Sequence, residues 1–210
     1  MAFEYAVNLD LSGRPVVVFG GGALASDRVS RLLEVGADVR IVTPKLGEAL
    51  VGLDVRHEPR IGRVEDLDGA FLAIATGEDQ APVSELFAEA EHRGVLFATI
   101  DDVEHSHFGA ASTIRRGDLQ LTISTAGKAP ALSKRLRREL EEQIDDAHGE
   151  LVEILHRARQ RLLPRTVPFG VWARAWEEAL ADLDGLLALV REGAQDAAEE
   201  RVVTSIRQAL

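Results

Sequence analysis

The stretch "PVVVFGGGALASDR", residues 15–28, constrains the fold of this chain more than any other. Its run of β-branched residues is typical of a buried strand, and the run ends at three consecutive glycines. The residues that follow can form a helix with Ala25, Val29 and Leu32 on one face. "ADVRIVTP", directly after Gly36, predicts a second strand. A strand, a helix and a strand in this compact order require a crossover, so the two strands are predicted to be parallel neighbours.

The same alternation continues to about residue 110. "DGAFLAIAT" predicts a strand, "APVSELFAEAEHRG" a helix that ends at Gly94, and "VLFATI" a further strand. "STIRRGDLQLTIST" alternates around a turn and predicts a β-hairpin. The remainder is almost wholly helical, with a break at Pro164 and Pro168 and a single helix predicted for "VWARAWEEALADLDGLLALVREG".

These patterns predict the fold class and its organisation. We expect an α/β, Rossmann-like, doubly wound parallel sheet over residues 1–110. A β-hairpin and helix follow over residues 111–145, and a small helical C-terminal domain covers residues 146–210.

Composition excludes several functional classes. The 210 residues are 46% hydrophobic and 28% charged, as in a soluble globular protein, and no apolar run approaches the roughly 20 residues of a membrane span. The N-terminus does not read as a signal peptide, so we expect a cytoplasmic protein. The absence of cysteine excludes disulfides, thiolate metal sites and a cysteine nucleophile. A net charge of -11 argues against nucleic-acid binding.

The charge is unevenly distributed along the chain. Between Ala111 and Arg138 there is one acid, Asp118. The same segment contains seven basic residues: Arg115, Arg116, Lys128, Lys134, Arg135, Arg137 and Arg138. A basic segment in an acidic protein predicts a local anionic partner. The last four of these residues are predicted on a helix, where salt bridges to nearby glutamates are at least as good an explanation.

The glycine turn fits the dinucleotide template G-x-G-x-x-[GA] through Gly20, Gly22 and Ala25. It stands after the first strand and at the start of the first helix, where unpaired N–H groups can receive a diphosphate. The second strand ends in "IVTP" without an acid and with Lys45 nearby, so the pattern leaves NAD and NADP open. The candidate cofactor-binding residues are Gly20, Gly21, Gly22, Ala23, Leu24, Ala25, Thr43, Pro44, Lys45 and Thr76.

Two acids, Asp101 and Asp102, follow the strand "LFATI" at the edge where open α/β sheets bind ligands. A carboxylate there could act as a general base, or it could cap the next segment. His105 and His107 come shortly after, and each could relay protons or be a solvated loop residue.

The sequence resembles the precorrin-2 dehydrogenase and sirohydrochlorin ferrochelatase family, the dehydrogenase module of siroheme synthases. The resemblance rests on "NLDLSGRPVVVFGGG", "LAIATGEDQAPVSEL", "ATIDD" and "IRRGDLQLTISTAGKAPALSKRLRRELE". The last segment is the most specific. Because the chain ends where a fused methyltransferase module would begin, it is similar to the stand-alone form.

The resemblance implies NAD-dependent oxidation of precorrin-2 to sirohydrochlorin in siroheme biosynthesis, and in some members insertion of ferrous iron. It also implies a homodimer formed through residues 111–145. Within the site it implies that Asp101 is the catalytic base, and Asp102 is then expected to cap the segment that follows. Precorrin-2 is a polycarboxylate macrocycle, which gives the basic segment an anionic partner. The candidate substrate-binding residues are Arg115, Arg116, Ser124, Thr125 and Lys128.

The residues leave open two alternatives to precorrin-2 oxidation. The family pattern has an Arg-Lys pair where this chain has Asp27 and Arg28, and an asparagine where it has Ala98. These departures leave room for a non-catalytic nucleotide-sensing or interaction protein on the same fold. An oxidoreductase for another polyanionic substrate would use the basic hairpin equally well.

Overall fold

The computed structural model describes residues 5–100, 102–162 and 167–210. The chain divides into two compact units. The first extends to Ala110 and includes Ala126–Lys128, and the second comprises Ala111–Thr125 and Ala129–Leu210. The finer division at residue 145 stays a prediction.

The first unit is a five-stranded parallel sheet with helices, which confirms the predicted Rossmann-like class. Its elements in chain order are β1 (Pro15–Phe19), α1 (Ala23–Glu34), β2 (Asp38–Val42), β3 (Arg56–Glu58), β4 (Leu72–Ala75), α2 (Val83–Arg93) and β5 (Leu96–Thr99). The strand order is β3-β2-β1-β4-β5. The chain therefore runs outward from β1 to one edge and returns to β4 on the other side, and the boundary between β1 and β4 is the topological switch point where such sheets bind ligands.

The centre of this sheet is covered on both faces, which explains the continuous apolar runs of β1 and β4. Val16 and Val18 of β1 pack in one cluster with α1 residues such as Val29. Val17 and Phe19 point to the opposite face and pack in a second cluster with α2 residues such as Leu86. Alternate residues of a strand face opposite sides, so a strand covered on both sides is apolar throughout.

A buried carboxylate holds the loop that leads into β4. Asp66, on the 3-10 helix Val64–Leu67, is only 2% exposed. Its carboxylate accepts hydrogen bonds from Arg60 at 2.6 and 2.8 Å, from the Arg63 backbone at 2.8 Å and from Arg40 at 3.3 Å. Burial opposes ionisation of Asp66, but these hydrogen bonds and charges outweigh it and lower its pKa.

The second unit begins with the predicted hairpin and continues with helices. The strands β6 (Ser112–Arg116) and β7 (Leu119–Ile123) are antiparallel, with Ser112 opposite Ile123. The helices are α3 (Pro130–Glu141), α4 (Asp146–Leu162), α5 (Phe169–Ala179), α6 (Leu183–Arg191) and α7 (Gln195–Ala209). Buried residues of α4 to α7, such as Ile154 and Val202, form its core, and Trp172 and Trp176 pack against that core.

The helix predicted across residues 171–193 is wrong in one respect, because it is two helices. α5 ends at Ala179 and α6 begins at Leu183, where the Asp182 carboxylate accepts a hydrogen bond from the Gly185 N–H at 3.1 Å. Asp is a favourable N-cap, so it starts a new helix rather than continuing the old one. Within the described ranges, no helix is both long and apolar enough to cross a membrane.

Candidate functional site

The glycine turn lies at the switch point of the sheet. Phe19, the last residue of β1, is paired with Ala75, the last residue of β4, so Gly20 and Thr76 leave the sheet side by side. Gly20 has φ +131°, and a Cβ added to it would collide with the Thr76 hydroxyl. Thr76 is buried and its hydroxyl lies 3.3 Å from the Phe19 carbonyl. Only glycine satisfies both the backbone conformation and the close approach.

The loop after β2 packs against the same turn. A Cβ on Gly21 would collide with the Lys45 carbonyl and approach the Thr43 hydroxyl to 2.8 Å. Thr43 is buried and donates to the Lys45 carbonyl at 3.1 Å, and the Gly47 N–H donates to the Gly21 carbonyl at 2.8 Å. The structure thus brings Thr43, Lys45 and Thr76 together around the glycines, with Pro44 in the connecting loop.

The first turn of α1 presents its free N–H groups to a carboxylate from elsewhere in the chain. Glu78 accepts from the N–H groups of Gly22 at 3.1 Å, Leu24 at 3.1 Å and Ala25 at 3.2 Å. The Thr76 hydroxyl donates to the same carboxylate at 3.0 Å. Desolvation of the carboxylate works against the charge of Glu78, but these donors outweigh it and lower the Glu78 pKa.

Glu78 is a residue that the sequence analysis missed. The available signal was its place in "ATGED", two residues beyond Thr76 at the carboxyl end of a strand next to β1. The four donors show that this turn stabilises an anion, as the helix N-terminus and its dipole predict. The donor set therefore fits the diphosphate of a dinucleotide.

The loop after β5 carries the predicted acids and histidines. Asp101 lies outside the described residues. Asp102 caps, as expected, because its Oδ1 accepts from the N–H groups of Glu104 at 3.1 Å and His105 at 3.2 Å. Its Oδ2 lies 2.6 Å from His105 Nδ1, and this hydrogen bond is the main cause of a lowered Asp102 pKa.

The two histidines of this loop have different environments. His105 Nε2 lies 3.3 Å from the Ser84 hydroxyl at the start of α2, so the Asp102 carboxylate, the imidazole and the hydroxyl form a chain. His107 Nδ1 accepts from the Phe97 N–H at 3.0 Å, and its Nε2 lies 2.6 Å from Glu91. Both nitrogens of His107 are therefore engaged within the fold, and it acts as a structural link between β5 and α2.

Four of the predicted substrate-binding residues belong to the second unit and Lys128 to the first. Arg115 is exposed on β6, while Arg116 is partly buried and forms an ion pair with Asp146 at 3.4 Å. The Thr125 hydroxyl accepts from the Ala129 N–H at 3.2 Å at the entry to α3, which is the capping role considered for it. Ser124 and Lys128 are exposed.

A family model whose description reads "Putative NAD(P)-binding" matches residues 7–112, half of the chain. The chain belongs to this NAD(P)-binding family. A second model, "Sirohaem biosynthesis protein central", matches residues 116–143, which contain most of the hairpin and α3. The two models confirm the resemblance to the dehydrogenase module of siroheme synthases, and the NAD(P)-binding match covers the glycine turn and Glu78.

Relatives and a solved structure agree with this family. The chain is 36% identical over 173 residues to siroheme synthase 1 of Serratia proteamaculans and 32% identical over 200 residues to siroheme synthase of Photobacterium profundum. These alignments cover 80% and 92% of this chain but 36% and 42% of the relatives, so the chain spans about two fifths of their length. The structure of SirC, a precorrin-2 dehydrogenase, matches with a TM-score of 0.70 and 23% identity, covering 98% of this chain and 100% of SirC. This match shows a shared fold.

Proposed function

We propose that this protein oxidises precorrin-2 to sirohydrochlorin, with NAD as the hydride acceptor. The observation that carries the proposal is the anion-binding glycine turn at the switch point of an NAD(P)-binding fold. The names of the siroheme synthase relatives and of the SirC neighbour support the choice of substrate.

The glycine turn would hold the cofactor diphosphate through the N–H groups of Gly22, Leu24 and Ala25. The cofactor, when bound, supplies the acceptor for the hydride that leaves the macrocycle. Thr43, Pro44 and Lys45 would line the adenosine side, because the loop after β2 adjoins the turn. No acid follows β2 in "IVTP", so the choice of NAD over NADP rests on the family resemblance.

Oxidation of the macrocycle also releases a proton, which calls for a base within hydrogen-bond reach. We propose Asp101 for this role, because in the sequence it stands two positions after the last residue of β5, and open α/β sheets bind ligands beyond the carboxyl ends of their strands. The Asp102 carboxylate already accepts hydrogen bonds from the backbone of its own loop and lies within hydrogen-bond distance of His105, so it is the poorer candidate for the base.

The substrate carboxylates would be bound by the basic segment. Arg115 is the most available of these residues for a substrate carboxylate. It is exposed and, within the part of the chain that the structure describes, forms no ion pair. Arg116, Ser124, Thr125 and Lys128 complete the proposed set. Guanidinium and carboxylate groups form bidentate, charge-assisted hydrogen bonds, which makes arginine suitable for a polycarboxylate.

We propose three further properties from the family. The protein forms a homodimer, acts in the cytoplasm, and inserts ferrous iron into sirohydrochlorin as a second activity. The iron here is a substrate, and the relatives' name, siroheme synthase, is what favours the second activity. Within the described residues, no group of three His, Asp or Glu side chains forms a metal site.

The purified chain should therefore form reduced nicotinamide when it is mixed with precorrin-2 and NAD, measured by the near-ultraviolet absorbance of the cofactor. Asp101→Asn should abolish this reaction while NAD binding, measured by calorimetry, stays intact. The matched control is Asp102→Asn, which should keep at least part of the activity. An active Asp101→Asn variant would show that the base is elsewhere.

The same assay separates the alternatives. NAD binding without turnover of precorrin-2 would favour a nucleotide-sensing protein or an oxidoreductase for another polyanion. Addition of ferrous iron to sirohydrochlorin, followed by the visible spectrum of the macrocycle, tests the second activity separately.

A further inference from the structure

Glu78 uses both carboxylate oxygens on the proposed cofactor site. Its Oε2 accepts from Gly22, Ala25 and the Thr76 hydroxyl, and its Oε1 accepts from Leu24. Every one of these donors belongs to the residues proposed to hold the cofactor. A dinucleotide diphosphate in this position would need the same N–H groups, which cannot serve two anions at once.

The space at the turn also admits only one anionic group. A Cβ on Gly22 would collide with the Glu78 carboxylate, so this carboxylate lies directly against the backbone that the G-x-G-x-x-[GA] template leaves open for a diphosphate. The negative charges of the Glu78 carboxylate and of a diphosphate next to it would also repel each other. The carboxylate of Glu78 and the diphosphate are therefore mutually exclusive.

The arrangement is reversible because Glu78 lies near solvent. The residue is exposed and sits in the loop between β4 and α2, so its carboxylate can return to water without loss of core packing. The neighbouring Asp79 has a buried Oδ2 that no described residue hydrogen-bonds. A buried unpaired oxygen is unfavourable, so this loop conformation is not fully stabilised.

We infer that Glu78 is an internal competitor of the cofactor: its carboxylate occupies the diphosphate position, and binding of the dinucleotide displaces it. The inference rests on the proposed cofactor function and assigns Glu78 the role of setting cofactor affinity. Removing the carboxylate frees the N–H donors, so Glu78→Ala binds NAD more tightly than the wild type does. Because an exposed carboxylate gives only modest net stabilisation, we expect a Kd roughly three- to tenfold lower.

The test is calorimetric titration of NAD into the wild type, Glu78→Ala and Glu85→Ala. Glu85 is an exposed acid in the first turn of α2, so its replacement removes the same charge from the same region without touching the turn. The Kd of Glu85→Ala should equal that of the wild type. The thermal midpoint of the cofactor-free protein should fall in Glu78→Ala, because the turn loses its internal hydrogen bonds. Tighter binding together with lower stability distinguishes a competitor from a residue with a merely structural role.

Equal or weaker NAD binding by Glu78→Ala would overturn the inference. Inorganic pyrophosphate is the second probe, because it isolates the diphosphate contacts, and it should also bind the variant more tightly. If neither probe binds the wild type or the variant, both the inference and the proposed cofactor site are wrong. If both bind Glu78→Ala more tightly but precorrin-2 is not oxidised, the inference stands and the proposed reaction fails.

Discussion

Replacing Gly20 with alanine tests the physical reason for the glycine turn. The backbone at Gly20 has φ +131°, and an L-residue held in such a region costs about 1–3 kcal/mol. The added Cβ would collide with the hydroxyl of Thr76 and lie 3.1 Å from its Cβ. Thr76 is buried and its hydroxyl is hydrogen-bonded, so relief of the collision requires repacking, and overpacking adds about 1–3 kcal/mol. We expect Gly20→Ala to reduce the free energy of unfolding of the first unit by about 4 kcal/mol.

Gly22→Ala is the matched control two residues away. Gly22 has φ −91°, which any residue adopts, and the atoms nearest its added Cβ are those of the exposed carboxylate of Glu78. That carboxylate can swing into water, so the variant loses only its hydrogen bonds to the turn. For an exposed acceptor we expect a cost of about 1 kcal/mol.

Urea denaturation measures both variants, and the chain offers two separate signals. Its two tryptophans, Trp172 and Trp176, both lie on α5, so their fluorescence reports unfolding of the second unit. Far-ultraviolet circular dichroism reports both units. With a denaturant dependence of about 2 kcal/mol per molar, the first-unit transition should shift by about 2 M in Gly20→Ala and about 0.5 M in Gly22→Ala.

The steric argument has a further check in Thr76→Ala. This substitution removes the hydroxyl with which the new methyl group collides, so it should restore part of the stability lost in Gly20→Ala, measured as coupling in a double-mutant cycle. A Gly20→Ala protein as stable as Gly22→Ala, or a cycle without coupling, would refute the reasoning.

Two other sites give direct predictions. Asp66→Asn removes the buried carboxylate that accepts from Arg60, Arg40 and the Arg63 N–H, so urea denaturation should show a loss of about 1–3 kcal/mol. Because folding lowers the pKa of Asp66, the wild type has this stability above the unfolded pKa of about 4 and loses it as the pH falls through the folded pKa; the variant should lack that acid-dependent loss. Arg115→Ala should raise KM for the tetrapyrrole about tenfold with a smaller change in kcat, and an unchanged KM would remove Arg115 from the substrate site. Arg116→Ala should also raise this KM, and it should lower the free energy of unfolding because it breaks the ion pair with Asp146.

The sheet was predictable wherever burial leaves a pattern. β1, β4 and β5 have continuous apolar runs, and β2 keeps Val39, Ile41 and Val42 buried, so each stands out in the sequence. The edge strand β3, Arg56–Glu58, was not predicted, because three polar residues paired on one side give no periodicity. Its position in the sheet comes from pairing with β2, which is a tertiary contact.

The helical region was predictable in class but not in its divisions. The boundary between α5 and α6 is marked by a capping contact, in which the Gly185 N–H donates to the Asp182 carboxylate. The sequence around it contains strong helix formers on both sides, so the intrinsic propensity favours continuation. The cap and the packing of α6 on α7 decide the break.

For the site, the sequence predicted the glycine turn but not the Glu78 carboxylate that binds to it. Gly20, Gly22 and Ala25 follow a template because each meets a local requirement of strand, turn and helix. Glu78 lies 56 residues from the Gly22 N–H that it accepts from, and its place after a strand does not by itself indicate which turn it contacts. Only the strand order, which puts β4 beside β1, brings the two together.

That strand order suggests why such a contact forms at all. A turn built to bind a diphosphate has several N–H donors that lack partners inside the helix, and in the absence of cofactor they must be satisfied by water or by another acceptor. The loop after β4 is the nearest segment of the neighbouring strand, and it carries the acid that reaches them. The donors that make the site favourable for the cofactor thus also make it favourable for a carboxylate of the chain itself. Cofactor affinity then depends on the difference between the free energies with which the two anions bind the same donors. Substitution of Glu78 should therefore raise cofactor affinity, whereas substitution of Gly22 should lower it.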